Sequence, residues 1–173
     1  DWQFEATICE KPKIKLGNYQ EKIKEALAAP QIWVPGKEKK EKKVSKSERV
    51  KKLLDILIEA VKIEIPQILI EEETNHLLSL LLEQINKLGL TLDTYLNSTK
   101  KTVKQLRKEY QDQAERTLKL EFILEAIADD LKIQVEEKEV DQLIGNKENQ
   151  NIDRYHLALI LRRQKTIDKL LSL

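Results

Sequence analysis

Between residues 47 and 131 the apolar residues of the chain recur every three or four positions. In the first such stretch Val50, Leu53, Leu54 and Leu57 follow one another at the spacing that places side chains on one face of an α-helix. Similar stretches continue to the C-terminus, and the 173 residues include only four glycines and four prolines. The pattern predicts a mainly α protein and argues against a glycine-rich all-β fold.

Caps and breakers divide this pattern into helices. Ser47 is the predicted N-cap of the first long helix, Pro66 lies at the start of the second, and Gly89 ends it. Thr91 and Thr102 are predicted to cap a short helix and a long one. The long helix would have about 29 residues and span roughly 43 Å. Because that length exceeds the core of a small domain, part of it is expected to project as an arm.

Three further helices are predicted, over residues 19–29, 136–144 and 152–171. At the N-terminus, residues 2–9 alternate loosely and include aromatic and β-branched side chains. They predict a short strand or extended segment, with Cys9 as an ordinary member of it.

The composition offers few groups for catalysis or for binding a metal. Two histidines and one cysteine cannot form a Cys/His zinc site with the usual spacing, and no glycine-rich phosphate loop is present. No run approaches eighteen uncharged apolar residues, so no membrane span is predicted. The sequence therefore predicts neither an enzyme nor a cofactor, and no membrane partner.

Charge is distributed in blocks along the chain. Its net charge is only +1, but residues 37–52 contain nine basic residues and three glutamates, a net charge of +6. The favoured interpretation is a flexible linker, and a contact with nucleic acid or ribosomal RNA is the alternative. The residues that would make that contact, or serve in the linker, are Lys39, Lys40, Lys42 and Lys43.

Several motifs occur in an order that resembles trigger factor, the bacterial ribosome-associated chaperone. They are IPQILIEEE at residues 65–73, LGLTLDTYL at 88–96 and KTVKQLR at 101–107. Residues 114–128 continue the resemblance, and residues 4–19 are similar to the strand that leaves the family's ribosome-binding domain. The resemblance implies an elongated multi-helix body with projecting helical arms, related to the periplasmic chaperone SurA. Such a body would cradle unfolded or nascent polypeptides in the cytoplasm without ATP.

The resemblance also implies a domain organisation. Residues 1–36 correspond to the exit strand and linker of a missing N-terminal ribosome-binding domain, which would be the only route to the ribosome. Residues 37–46 would be a basic flexible linker that replaces the family's FKBP-like prolyl isomerase domain, because the gap is far too short for it. Residues 47–173 would form the helical chaperone domain. The absence of methionine indicates a fragment or a processed form.

The candidate client-binding residues are apolar residues of helices that carry more apolar side chains than one buried stripe would require. Residues 77–82 are too apolar for a single buried face, although a core role remains open for each of them. Leu118 and Phe122 lie off the main apolar stripe of the long helix, and Ile160 lies in the last helix. The predicted set is Leu78, Leu82, Ile85, Leu118, Phe122 and Ile160.

A second class of function remains open at this stage. The basic run and the stretch at residues 162–165 (RRQK) would suit a helical nucleic-acid- or ribosome-associated protein. Because the run more commonly serves as a solvated linker, nucleic acid is disfavoured as a partner. The sequence leaves the oligomeric state open between a monomer and a weak dimer.

Overall fold

The computed structural model describes Gln3 and residues 9–28, 45–144 and 153–173 of the chain. Within these residues there are seven α-helices and no β-strand, which confirms a mainly α protein. The helices are α1 (Tyr19–Ala28), α2 (Lys46–Ala60), α3 (Gln67–Lys87), α4 (Leu92–Thr99), α5 (Val103–Asp130), α6 (Glu137–Ile144) and α7 (Arg154–Leu171).

The predicted cap of α2 is wrong by two residues. The N-cap is Ser45, whose side chain accepts a hydrogen bond of 3.2 Å from the backbone N–H of Glu48. In return the Glu48 carboxylate accepts one of 3.0 Å from the backbone N–H of Ser45. This reciprocal pair needs an acidic or amide side chain three residues after the cap. Ser47 is followed at that distance by Val50, which cannot supply one.

The other predicted helix ends are close to those observed. Thr91 caps α4, and its hydroxyl accepts from the backbone N–H of Thr94 at 3.2 Å. Thr102 precedes α5, and its hydroxyl accepts from the backbone N–H of Gln105 at 3.3 Å. Gly89 follows α3 with a φ of +70°, a conformation that favours glycine and ends helices.

The predicted N-terminal strand lies mostly outside the described residues. Of residues 2–9 only Gln3 and Cys9 are described, and neither belongs to a strand. The basic run from residue 37 to residue 44 and the predicted polar turn GNKENQN at residues 145–151 also lie outside them. The domain boundaries therefore stay a prediction, except that α2 begins at Lys46.

The chain divides into two compact units. Unit 1 comprises Ile63–Lys119 together with the described part of Asp1–Lys13, so it contains α3, α4 and the first part of α5. Its core is a small cluster of leucine and isoleucine side chains from these three helices. The buried members are Leu81, Ile85, Leu96 and Leu106.

Unit 2 comprises Ile14–Lys62 and Leu120–Leu173. It contains α1, α2, the later part of α5, α6 and α7, and an isolated antiparallel bridge joins Lys15 to Lys62. Its core includes several side chains with no measurable exposure, namely Ile23, Leu53, Leu57, Ile123, Ile127 and Leu170.

A polar contact fixes α1 within the core of unit 2. Tyr19, at the start of α1, is buried, and its hydroxyl donates a hydrogen bond of 2.8 Å to the carboxylate of Asp130 at the end of α5. Burial raises the pKa of Tyr19, and the adjacent Asp130 carboxylate raises it further, while the hydrogen bond from Gln20 lowers it. The phenol therefore stays protonated and remains a donor.

Candidate functional site

The three candidate residues on α3 have different environments in unit 1. Ile85 is only 2% exposed and packs in the core against Leu96 and Leu106, so its predicted contact with clients does not agree with its burial. Leu78 is half-buried against the same cluster. Leu82 is 41% exposed and is available at the surface.

Unit 1 exposes further apolar side chains that were not among the predicted set. Leu88 and Leu90 flank Gly89 in the turn after α3, and Leu88 is 74% exposed. Leu80 on α3 and Val103 at the start of α5 are exposed as well. The signal that could have identified Leu88 and Leu90 is their position on either side of a helix-ending glycine, where few neighbours can cover a side chain.

The candidates on α5 and α7 are divided between the two units. Leu118 belongs to unit 1, whereas Phe122 and Ile160 belong to unit 2. Leu118 and Phe122 are half-buried, and Ile160 is exposed. The predicted set therefore contains one core residue, two exposed residues and three that are partly covered.

Unit 2 contains a small groove between α5 and α7. Leu124 and Ala128 of α5 and Leu159 of α7 supply apolar lining. Tyr155, one turn before Leu159, lies at the groove and is 74% exposed. Tyr155 is not in the predicted set because it lies in the first turn of α7, directly after a polar segment, where no apolar stripe marks it.

Ion pairs border this groove. The Arg162 guanidinium contacts the Asp129 carboxylate at 2.6 Å, and its Nε donates to the backbone carbonyl of Ile133 at 2.9 Å. Arg163 pairs with Glu121 at 2.8 Å. The groove thus combines an apolar lining with charged edges. This arrangement suits a peptide segment whose apolar side chain enters the groove while its polar backbone meets the edges.

The basic stretch at residues 162–165 is engaged within unit 2. Besides the two arginines, Lys165 contacts the Glu139 carboxylate at 2.6 Å. The hydrogen bond from Lys165 holds the pKa of Glu139 below its ordinary value, and the backbone N–H of Glu136 contributes to the same shift. These three cations therefore already have carboxylate partners, which weakens the case for nucleic-acid contact at this stretch.

The predicted contact lysines Lys39, Lys40, Lys42 and Lys43 lie outside the described residues. Within the ranges that the structure covers, no group of three or more His, Cys, Asp or Glu side chains could hold a metal ion. No helix in those ranges is both long and apolar enough to cross a membrane.

Two helical units with apolar side chains at their surfaces define a mainly α protein with candidate interaction surfaces. The family model described as the C-terminus of bacterial trigger factor protein matches residues 36–153. The chain therefore belongs to the trigger factor family and corresponds to its C-terminal part.

Individual relatives agree with this assignment. The chain is 32% identical to the trigger factor of Carboxydothermus hydrogenoformans over 102 residues, which cover 59% of this chain and 24% of the relative. It is 30% identical to that of Wolinella succinogenes over 141 residues, which cover 80% of this chain and 29% of the relative. The matched segments thus span only about a quarter of these relatives. No solved structure shows significant similarity to the chain.

Proposed function

We propose that this chain is the polypeptide-binding body of an ATP-independent molecular chaperone. In this proposal it holds unfolded or nascent polypeptides through exposed apolar helix faces and assists their folding. Membership of the trigger factor family supports the proposal. The single observation that carries it is the set of leucines that unit 1 leaves exposed, above all Leu88 and Leu90 beside Gly89.

Physical chemistry makes such a surface suitable for many clients. Apolar burial is non-directional and contributes about 25 cal/mol per Å², so a few leucines can bind diverse sequences weakly. Because 35% of the residues are charged, the apolar side chains are surrounded by groups that oppose self-association. Binding and release would then depend on affinity alone.

The proposal also includes the expected domain organisation. The 17 residues between the end of α1 at Ala28 and the start of α2 at Lys46 are far fewer than the roughly 50 residues of the smallest typical domains, so this chain is proposed to lack an isomerase domain in that gap. Contact with the ribosome is proposed to occur through a different domain of the family. The proposed location is the bacterial cytoplasm, and no cofactor is required.

A light-scattering assay tests the proposed function. Reduced lysozyme, diluted from guanidinium, aggregates, and the full chain is expected to delay this aggregation at a molar excess. Addition of ATP should leave the delay unchanged. A chain that neither delays aggregation nor binds reduced, carboxymethylated lysozyme would contradict the proposal.

The nucleic-acid alternative receives less support from the described residues. Arg162, Arg163 and Lys165 are paired with carboxylates, as described above. A nucleic-acid complex would lose affinity steeply between low and physiological salt, whereas apolar client binding would not. The same chain titrated with a labelled oligouridylate at two salt concentrations separates the two functions.

A further inference from the structure

The two halves of α7 are attached to the rest of unit 2 in different ways. In the second half, Thr166 and Leu170 have no measurable exposure, and the Lys46 ammonium group contacts the Asp168 carboxylate at 2.8 Å. In the first half, residues 154–163, the side chains are half-buried or exposed. Apolar burial therefore anchors the second half of α7, whereas the first half depends more on polar contacts.

These polar contacts have one sign of charge on each side. Four cations of α7 contact carboxylates of α5 or α6, and α7 supplies the cation in each pair. The pairs are Arg154 with Asp141, Arg162 with Asp129, Arg163 with Glu121 and Lys165 with Glu139. Ion pairs between partly exposed side chains each contribute little to stability. The first half of α7 is therefore held weakly.

The part of α5 that faces this half of α7 is an apolar and acidic stripe. Glu121, Leu124, Glu125 and Ala128 follow one another at the spacing of one helix face, and we call them the α5 stripe. Three of them line the groove between α5 and α7. Leu124 is 5% exposed and Ala128 is 1% exposed, so the apolar part of the stripe is hidden while α7 lies against it.

The α5 stripe has no cation of its own. Residues 120–130 include neither lysine nor arginine. The next cations along the chain are Lys119, which contacts Glu115 at 2.6 Å, and Lys132, beyond the end of α5. A segment that takes the place of α7 on the stripe must therefore bring cations for its carboxylates as well as apolar side chains.

The packing of α7 against the α5 stripe is incomplete. A groove with a volume of about 120 Å³ remains between the two helices. Leu159 lines it and is half-buried, and Tyr155 at its mouth is 74% exposed. Side chains that border a void lose dispersion contacts on that side. A segment that fills the groove better than residues 154–163 can therefore compete with them.

We infer that the α5 stripe is a second client-binding surface, which residues 154–163 cover in the free chain and from which helical client segments displace them. The client segments would have the chemistry of the helix that they replace, namely apolar side chains four residues apart followed by arginine or lysine. The inference rests on the proposed function and adds a surface in unit 2 that the chain itself occupies. The first half of α7 is thus an autoinhibitory contact.

A labelled peptide that copies residues 153–165 (DRYHLALILRRQK) tests the inference. Fluorescence anisotropy with the full chain is expected to show binding, and reduced, carboxymethylated lysozyme should compete with the peptide. The same peptide with both arginines replaced by glutamates should bind about tenfold more weakly, because its carboxylates would face those of Glu121 and Asp129. Equal binding of the two peptides, no binding of the first, or no competition by lysozyme would overturn the inference.

Breaking the same ion pairs from opposite sides locates the surface. Arg162→Gln with Arg163→Gln loosens α7 but keeps the α5 stripe, so it should tighten peptide binding about fivefold. Glu121→Gln with Asp129→Asn breaks the same two pairs but removes the carboxylates that the peptide needs, so it should not tighten binding. Equal tightening in both variants would indicate a general loosening of unit 2 and would overturn the inference.

The matched control is Lys46→Gln, which breaks the pair with Asp168 in the second half of α7 and should leave the peptide affinity unchanged. Hydrogen exchange followed by NMR on the ¹⁵N-labelled chain detects the displacement itself. The unlabelled peptide should speed the exchange of amides in residues 157–163 but not in residues 166–171. Tighter binding in the control, or binding without faster exchange in residues 157–163, would overturn the inference.

Exchange of α7 between two copies of the chain is the competing occupant of the α5 stripe. Sedimentation velocity at increasing concentration separates the two, because exchanged copies would form dimers. A monomer at every concentration is the expected result. Dimers that the peptide dissociates would identify a second copy as the partner and would overturn the inference.

The two proposals can fail separately. If the chain delays lysozyme aggregation but does not bind the peptide, the chaperone proposal stands and the displacement of α7 is wrong. If the chain neither delays aggregation nor binds carboxymethylated lysozyme, the proposed function itself is wrong.

Discussion

The two units use their apolar residues differently. Unit 2 buries Leu53, Leu57, Ile123 and Ile127 completely, and its helices are also joined by ion pairs such as that between Lys46 and Asp168. Unit 1 has a smaller buried cluster and leaves several large apolar side chains exposed, namely Ile68, Leu80, Leu82, Leu88, Leu90 and Val103. Unit 2 also exposes Leu143, Tyr155, Ile160 and Leu173, so the difference is one of degree: more of the large apolar side chains are exposed in unit 1, which supports its proposed role in binding.

The largest effect on the free energy of unfolding is expected from a charge placed in the core of unit 2. Leu53→Asp places a charge at a position with 0% exposure and should reduce the free energy of unfolding by about 4 kcal/mol or more. Urea unfolding monitored by far-UV circular dichroism measures this change. Leu54 is half-buried, so Leu54→Asp should have a smaller effect. Equal midpoints for the two variants would contradict the assignment of Leu53 to the core.

An effect on binding without an effect on folding is expected in unit 1. Leu88→Ser with Leu90→Ser removes exposed apolar surface and should weaken binding of carboxymethylated lysozyme about fivefold, at roughly 0.5 kcal/mol for each partly buried leucine. The urea midpoint should stay close to that of the original chain. Thr91→Ser, in the same turn, keeps the capping hydroxyl and is the matched control. Unchanged client binding in the double variant would remove the main support for a binding role of unit 1.

Local sequence signals predicted the helices well because caps and periodicity act over a few residues. Thr91, Thr102 and Gly89 each mark a helix end through interactions within one turn. The Ser45 cap shows the limit of this approach. Ser45 and Ser47 are both possible caps of α2. Ser45 is the cap because Glu48 lies three residues after it and completes the reciprocal pair of hydrogen bonds.

Exposure was harder to predict because it depends on packing between helices. Leu82 and Ile85 are three residues apart and lie on neighbouring parts of the α3 surface. Ile85 is covered by α4 and α5, whereas Leu82 lies just beyond that contact. The apolar pattern of the α3 sequence does not distinguish Leu82 from Ile85. Only the positions of α4 and α5 decide which of the two is buried.

A moderate effect is expected from the cap of α2 in unit 2. Ser45→Ala removes both the acceptor for the Glu48 backbone N–H and the reciprocal arrangement around it, and should cost about 1 kcal/mol of unfolding free energy. Ser47→Ala, two residues later, should cost much less and serves as the control. The urea midpoints of the two variants measure the difference. A larger loss for Ser47→Ala would show that the helix begins where the sequence alone predicted.

The smallest expected effect concerns the partly or fully exposed ion pairs of unit 2 and the dependence of their contribution to stability on pH. Lys165 holds the pKa of Glu139 below its ordinary value of 4.5, and Lys46 holds that of Asp168 below 3.8. A carboxyl group whose pKa is lowered by folding stabilises the protein above its unfolded pKa, and this contribution disappears as the pH falls through its folded pKa. Lys165→Gln should therefore flatten the decline in the urea midpoint below pH 4.5. Lys138→Gln, on an exposed part of α6, should not, and an equal flattening would assign the acid sensitivity to net charge instead of to the pair with Glu139.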